Sequence, residues 1–381
     1  MIRKCIVISD SFKGTLSSLE ICEIAAKSIP KFLPECDVIT IPVADGGEGT
    51  VACFREAIGA VPVSVAVSGP YGETVEAVYC RHGNKAIIEM SSAAGLPMVG
   101  ECRDPEKTST YGVGEILRHA VENGATEILL GLGGSATNDG GCGCAAALGV
   151  RFLDKEGHAF VPVGGTLTDI ASIDIIGAKK LLAGVSITAM CDVDNPLFGP
   201  RGASFIFGPQ KGADAQMVKR LDEGLRHLDE VMCRDLGVSV GDMPGAGAAG
   251  GMGGACVAFF DGKLKSGIQA VLDMVEFDRL LVGTDLVITG EGRIDAQSIH
   301  GKVISGIAGR TRPQNIPLVA IVGCIDPSAD EAYNLGVTAM FGIDREALSF
   351  SEYANRSREC YQRTLEDILR LLAAFAGSML G

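Results

Sequence analysis

The residues of this chain that can do chemistry sit in short polar loops, each directly after an apolar run. Asp10, Ser11 and Lys13 follow Cys5-Ile6-Val7-Ile8, and Asp45 lies among glycines after Val38-Ile39-Thr40-Ile41. Gly131-Leu132-Gly133-Gly134-Ser135-Ala136-Thr137-Asn138-Asp139-Gly140-Gly141 follows Ile128-Leu129-Leu130. Asp192 and Asp194 close the apolar run 185–190, and Lys211 stands between Gln210 and Gly212. Glu291, Arg293, Asp295, Gln297 and Ser298 form the densest polar cluster, after 285–288. These are the parts that phosphoryl transfer needs. Backbone N–H groups cradle phosphates, carboxylates hold Mg²⁺, a cation offsets developing charge, and a carboxylate positions the acceptor hydroxyl. Two aspartates at i and i+2 of a strand end point to one side, which suits a hard cation that takes oxygen ligands.

Other chemistries lack their parts. The chain has no G-x-x-x-x-G-K-[ST] loop, no G-x-S-x-G elbow and no H-E-x-x-H. Of five histidines only His300 lies in a polar cluster, so histidine acid–base work and a histidine metal site are not expected. One rival has a motif. Gly131-x-Gly133-x-x-Ala136 fits the dinucleotide fingerprint, with Asp154 about 20 residues on, and would make the chain an NAD-dependent oxidoreductase of a small hydroxy acid. Against it, Asp154-Lys155-Glu156-Gly157 reads as a hairpin turn. A non-catalytic sugar-acid sensor is a third reading, without any DNA-binding segment to support it.

The elements that must position these loops follow from periodicity. Continuous apolar runs of four to six residues read as buried parallel strands, and the loops after them as βα turns. In open α/β sheets, ligands bind outside the carboxyl ends of the strands. Ser17 or Ser18 is expected to cap a helix, and Thr137, Asn138 or Asp139 another. A free helix N-terminus after 131–141 would suit a phosphate. Thr108, Ser109 and Thr110 are either a further anion site or ordinary caps. Gly245, Gly247, Gly250 and Gly251 open a helix after Pro244. Alternation over 63–90 predicts a β-meander with turns at 70–72 and 82–84. The stretch 351–375 predicts an amphipathic helix with Leu365, Ile368, Leu369 and Leu372 on one face.

Composition sets outer limits. A chain of 381 residues has room for two domains. A net charge of −14 argues against nucleic acid or an anionic membrane as the main partner. Thirteen cysteines without a disulfide-framework spacing read as reduced thiols. No apolar run reaches the roughly 18 residues that span a bilayer, and 1–4 do not open a signal peptide. The expectation is a cytoplasmic protein. The acidic surface and apolar C-terminal helix permit a homodimer without requiring one.

Seven blocks together resemble the bacterial class I glycerate kinases. They are Asp10-Ser-Phe-Lys-Gly14, Ala44-Asp-Gly-Gly-Glu-Gly-Thr50, 131–141, Asp192-Val-Asp-Asn-Pro196, Gly208-Pro-Gln-Lys-Gly-Ala213, 245–251 and Thr289-Gly-Glu-Gly-Arg293, in the family's order. Val43 and Ser298 stand where the family usually has Met and Thr. The resemblance implies ATP- and Mg²⁺-dependent phosphorylation of D-glycerate, typically to 2-phosphoglycerate. It implies two α/β domains with the active site in the cleft between them. We expect a Rossmann/flavodoxin-like outer domain over 1–65 and 282–381 and a mixed α/β domain inserted over 66–281. On this reading Gly133, Gly134 and Ser135 cradle ATP phosphates, with Asn138, Gly247 and Gly250 as further contacts. Asp192 and Asp295 hold Mg²⁺ or position the acceptor, with Asp45 and Asp10 as further acidic groups. Lys13, Lys211 and Arg293 neutralise phosphate or clasp the glycerate carboxylate, Arg as a bidentate fork and Lys as a point charge. Ser11, Glu291 and Gln297 complete the substrate contacts.

Overall fold

The computed structural model describes residues 2–12, 14–43, 49–295, 302–344 and 350–378. Lys13, Asp45 and Gln297 lie outside the described residues. The chain divides into two compact units: 1–44, 52–58 and 266–381 form one, 45–51 and 59–265 the other. Strands are numbered here in chain order.

The first unit opens with β1 (Lys4–Ser9) and β2 (Asp37–Pro42) and resumes with β12 (Leu286–Thr289), β13 (Arg293–Ile294), β14 (Leu318–Val322), β15 (Cys324–Ile325) and β16 (Ala339–Gly342). Its main sheet has the order β16-β14-β12-β1-β2, and every pair in it is parallel. Read from the other edge this is the doubly wound flavodoxin-like order, with its switch point between β1 and β12. Apolar runs make this possible: Cys5 to Ile8 and Leu318 to Val322 are buried throughout, as strands covered on both faces require. The helix Ser18–Phe32 starts at Ser17, whose hydroxyl accepts from Glu20 N while the Glu20 carboxylate accepts from Ser17 N. The helix Phe350–Ser378 buries Tyr361, Leu365, Ile368 and Leu369 against this core, with Tyr361 edge-on to Phe12.

The second unit runs through β3 (Val61–Ser68), β4 (Thr74–His82), β5 (Lys85–Glu89), β6 (Glu127–Gly131), β7 (Arg151–Leu153), β8 (Ala159–Phe160), β9 (Ser172–Asp174), β10 (Ser186–Met190) and β11 (Lys263–Lys265). The six-stranded sheet β11-β10-β6-β5-β4-β3 is parallel from β11 to β5 and antiparallel beyond, so β3, β4 and β5 are the expected meander. A small antiparallel sheet, β8-β7-β9, stands apart. Ile128, Leu130, Ile187 and Ala189 anchor one core with Leu117, Leu225 and Phe259. All thirteen cysteines are free thiols. Among the described residues no helix is long and apolar enough to cross a membrane.

Three stretches group differently from the expected division at 66 and 282: 45–51 and 59–65 fall in the second unit and 266–281 in the first. Residues 61–65 belong to β3, which pairs with β4 along its length. Residues 266–281 carry the helices Gly267–Met274 and Phe277–Leu281, which Arg310 of the helix Val303–Thr311 ties down through Gln269, Asp273 and Asp278.

Leu369 is fully buried and Leu371 is 53% exposed on the same helix. Leu369→Ala should lower unfolding free energy by about 2–5 kcal/mol in urea denaturation, and Leu371→Ala by less than about 0.5 kcal/mol. Equal effects would contradict the assigned face.

Candidate active site

In the second unit, Gly131 and Met190 are register partners at the carboxyl ends of β6 and β10. Their following loops therefore run side by side. They line a cavity of about 450 Å³ with Gly133, Gly134 and Ser135 on one side, Asp192 on another, and Lys211 at the wall. Gly134 has φ 72°, which favours glycine, and is exposed to the cavity mouth.

Lys211 is 2% exposed. Its Nζ donates to Ser135 Oγ at 2.9 Å and to Thr137 O at 2.7 Å. Both acceptors are neutral, and an ammonium carries three N–H donors, so one donor remains for a ligand. Burial pulls the Lys211 pKa down to about 7, against the opposing charge of Asp139.

The loop 131–141 does not present a free helix N-terminus. The following helix, Cys142–Ala147, has only six residues, and Asp139 occupies its start by accepting from Gly141 N and Gly143 N. Of the residues expected to cap it, Asp139 does so. Asn138 is fully buried and donates to Ser204 Oγ at 3.2 Å, which removes it from phosphate contact. The hydroxyls before the helix Tyr111–Glu122 also act within the fold. Thr108 Oγ1 donates to Ala136 O, and Thr110 Oγ1 to Asp139.

Gly247 and Gly250 are glycines for packing. A β-carbon at Gly247 would stand 2.3 Å from Pro196 O, and one at Gly250 2.0 Å from Thr137 O. The Gly247 N–H is taken by Asn195 O. The aspartate pair also separates: Asp194 pairs with Arg201 at 3.2 Å, and only Asp192 lines the cavity. Among the described residues no group of three His, Cys, Asp or Glu side chains is placed to hold a metal ion.

In the first unit the polar cluster lies at the switch point. Asp10 N donates to Gly290 O, joining the loops after β1 and β12. Ser11 N donates to Asp10 Oδ1 at 2.7 Å. Glu291 is buried, while Arg293 is exposed and ion-paired with Asp326 and, at 4.0 Å, with Asp295. Asp326 accepts from Ser328 N and Oγ as well as Arg293, which hold its carboxyl down at about 2. Asp10, Ser11, Glu291, Arg293 and Asp295 are thus gathered in one unit, and Gly133, Gly134, Ser135, Asp192 and Lys211 in the other.

Residues 5–373 match the model of the glycerate kinase family. Glycerate kinase of Bacillus cereus is 44% identical over 368 residues, covering 96% of this chain and 97% of the relative. Glycerate 2-kinase of Escherichia coli K12 is 43% identical over 343 residues, covering 89% and 90%. A crystal structure of a Salmonella typhimurium LT2 protein described as a glycerate kinase 2 superposes with a TM-score of 0.87 at 41% identity, covering 99% of this chain and all of that one. The chain belongs to the glycerate kinase family. It is an enzyme of the kinase class. The dinucleotide reading fails on geometry as well. Asp154 sits in the β7–β8 hairpin, outside the parallel sheet, and the helix after Gly131 starts only at Cys142.

Two carboxylates of this glycerate kinase family member escaped the sequence reading, Glu89 and Asp326, and Asp139 was expected only as a helix cap. Glu89 ends β5 level with Gly131, is 8% exposed, and accepts from Val51 N at 2.6 Å. Its position at a strand's carboxyl end was the available signal. Asp326 follows the two-residue strand β15, too short to read from periodicity.

Gly250→Ala should lower the thermal midpoint of the ligand-free protein by several degrees, through the clash with Thr137 O and the left-handed φ of 69°. A glycine needed only to let a phosphate approach would leave that midpoint unchanged.

Proposed function

We propose that this kinase transfers the γ-phosphoryl group of ATP to D-glycerate, assisted by Mg²⁺, and that 2-phosphoglycerate is the product. The observation that carries the reading is Lys211: a buried cation held by two neutral acceptors at the wall of a glycine-lined cavity. No carboxylate lies within ion-pair distance of it among the described residues. A phosphate brings the missing negative charge, and the glycines let it approach the backbone closely. The names of the relatives, glycerate kinase and glycerate 2-kinase, support the acceptor and the 2-position.

The side chains fit the metal. Mg²⁺ is commonly held by one or two carboxylates together with substrate phosphates, and Asp192 supplies one carboxylate at the cavity. When bound, Mg²⁺ offsets charge that develops on the phosphoryl oxygens. Lys211 does the same from the protein side and orients the phosphate through its third N–H. Gly133 and Gly134 admit the phosphates, and Ser135 Oγ is fixed by its bond from Lys211.

The switch point of the first unit is the proposed place of glycerate. Arg293 offers a fork for the carboxylate, and Ser11 and Glu291 offer polar contacts at the same strand ends. Asp10 and Asp295 are the described carboxylates that would accept the acceptor hydroxyl's proton. Lys13, Asp45 and Gln297 belong to the same proposed set.

ADP release with Mg-ATP and D-glycerate, followed by phosphorus NMR of the product, tests the reaction. A 2-phosphoglycerate signal is expected. A 3-phosphoglycerate signal would overturn the regiochemistry, and no ADP would overturn the reaction. Lys211→Met should raise the ATP KM roughly 10- to 100-fold, the loss of a charge-assisted hydrogen bond. Arg293→Lys should raise the KM for glycerate far more than that for ATP; equal increases would remove Arg293 from the glycerate site.

A further inference from the structure

We propose that Asp139 is a positioning residue of this active site: its buried carboxylate holds the glycine loop and supplies the countercharge that keeps Lys211 an ammonium at the cavity wall. The proposal rests on Lys211 being a phosphate contact, as read above.

Asp139 is fully buried. Oδ2 accepts from Thr110 N and Thr110 Oγ1, both at 2.8 Å, and from Gly143 N at 3.2 Å. Oδ1 accepts from Gly141 N at 3.0 Å. The Thr110 hydroxyl itself accepts from Cys144 N at 2.8 Å, so its own proton goes to Asp139. Burial raises the Asp139 pKa and these donors oppose it. Every partner donates, which is the environment of an ionised carboxylate.

Lys211 holds the same loop from its other end, through Ser135 Oγ and Thr137 O. Residues 135–143 are therefore pinned between an anion and a cation that share no hydrogen bond. Each is buried, so their attraction acts in low dielectric, where an opposite charge matters most. The other titratable groups packed on the loop do not compete. Burial raises the thiol pKa values of Cys142, Cys144 and Cys256, which stay neutral. Asp192 lines the cavity but is exposed, and Arg103 is exposed and turned to Gly100 O and Gln210 O. Asp139 is the charge that opposes, in part, the desolvation of Lys211. Its loss shifts Lys211 toward the neutral amine, which attracts phosphate weakly.

The test is the pH dependence of AMP-PNP binding to the full chain, followed by calorimetry. Wild-type affinity should fall as pH rises past about 7, where Lys211 loses its proton. In Asp139→Asn the fall should move to lower pH by about one unit or more, the size expected for a lost opposite charge. A folded Asp139→Asn whose fall stays at the wild-type pH overturns the proposal. Lys211→Met separates this from the underlying reading: wild-type affinity at pH 6.5 in that variant would sink Lys211 as the phosphate contact, whatever Asp139→Asn does. Where Asp139→Asn is too unstable to titrate, thermal midpoints decide. Lys211→Met should then cost less in the Asp139→Asn background than in wild type. Equal costs mean uncoupled charges and overturn the proposal.

Discussion

Parallel pairing is the constraint on which the rest of this structure depends. Parallel strands deliver all their carboxyl ends to one edge, so the loops that follow are neighbours whatever their distance in sequence. Register then sets which residues stand level. Glu89, Gly131 and Met190 end three adjacent strands at one height, and the cavity opens beyond the last two. In the first unit β1 and β12 pair across more than two hundred and fifty intervening residues, and the bond from Asp10 N to Gly290 O continues their alignment into the loops. Burial enforces this arrangement. A run such as Cys5-Ile6-Val7-Ile8 has no polar face, so it is stable only inside a sheet covered on both sides.

That constraint explains what was legible in the sequence. The apolar runs show where strands end, and glycine, aspartate and hydroxyl residues show that the ends are used for more than turning. The meander over β3 to β5 and the buried face of the C-terminal helix follow from periodicity, because each depends on local pattern; the flavodoxin-like first unit was expected from the family resemblance, since its strand order rests on the distant pairing of β1 with β12. Recognition of the family rested on seven polar blocks in order, five of which follow strands; 208–213 follows the helix Ala203–Phe207, and 245–251 has no strand directly before it.

What was not legible depends on partners far apart in the chain. Lys211 and Ser135 are 76 residues apart, and Thr110 and Asp139 are 29 apart. The helix after the glycine loop looks like an open anion-binding N-terminus until Asp139 is seen to fill its start. Gly250 looks like a cofactor glycine until Thr137 O is found against it. Asp192 and Asp194 share a strand-end spacing, yet the strand stops at Met190, so the alternation that would have aimed both one way ends before them. In each case the residue type was read correctly and its partner was not, since one type serves both a ligand and a neighbouring loop.

Two cations, one in each unit, make the same point in opposite ways. Arg293 is exposed and already paired with Asp326, so a carboxylate arriving there would meet a guanidinium whose charge is partly offset and whose hydration is largely intact. Pairing in such a setting contributes little by itself, and recognition there depends on fork geometry. Lys211 is dehydrated, bonded to neutral oxygens and short of one acceptor. Desolvation has therefore already been met by folding, and an arriving phosphate gains the interaction without displacing much water. The exposed arginine suits discrimination between carboxylates, whereas the buried lysine suits a group whose charge must be met without rearrangement. A phosphoryl group in transfer is such a group, because stabilisation of its charge is most effective from donors that are fixed beforehand.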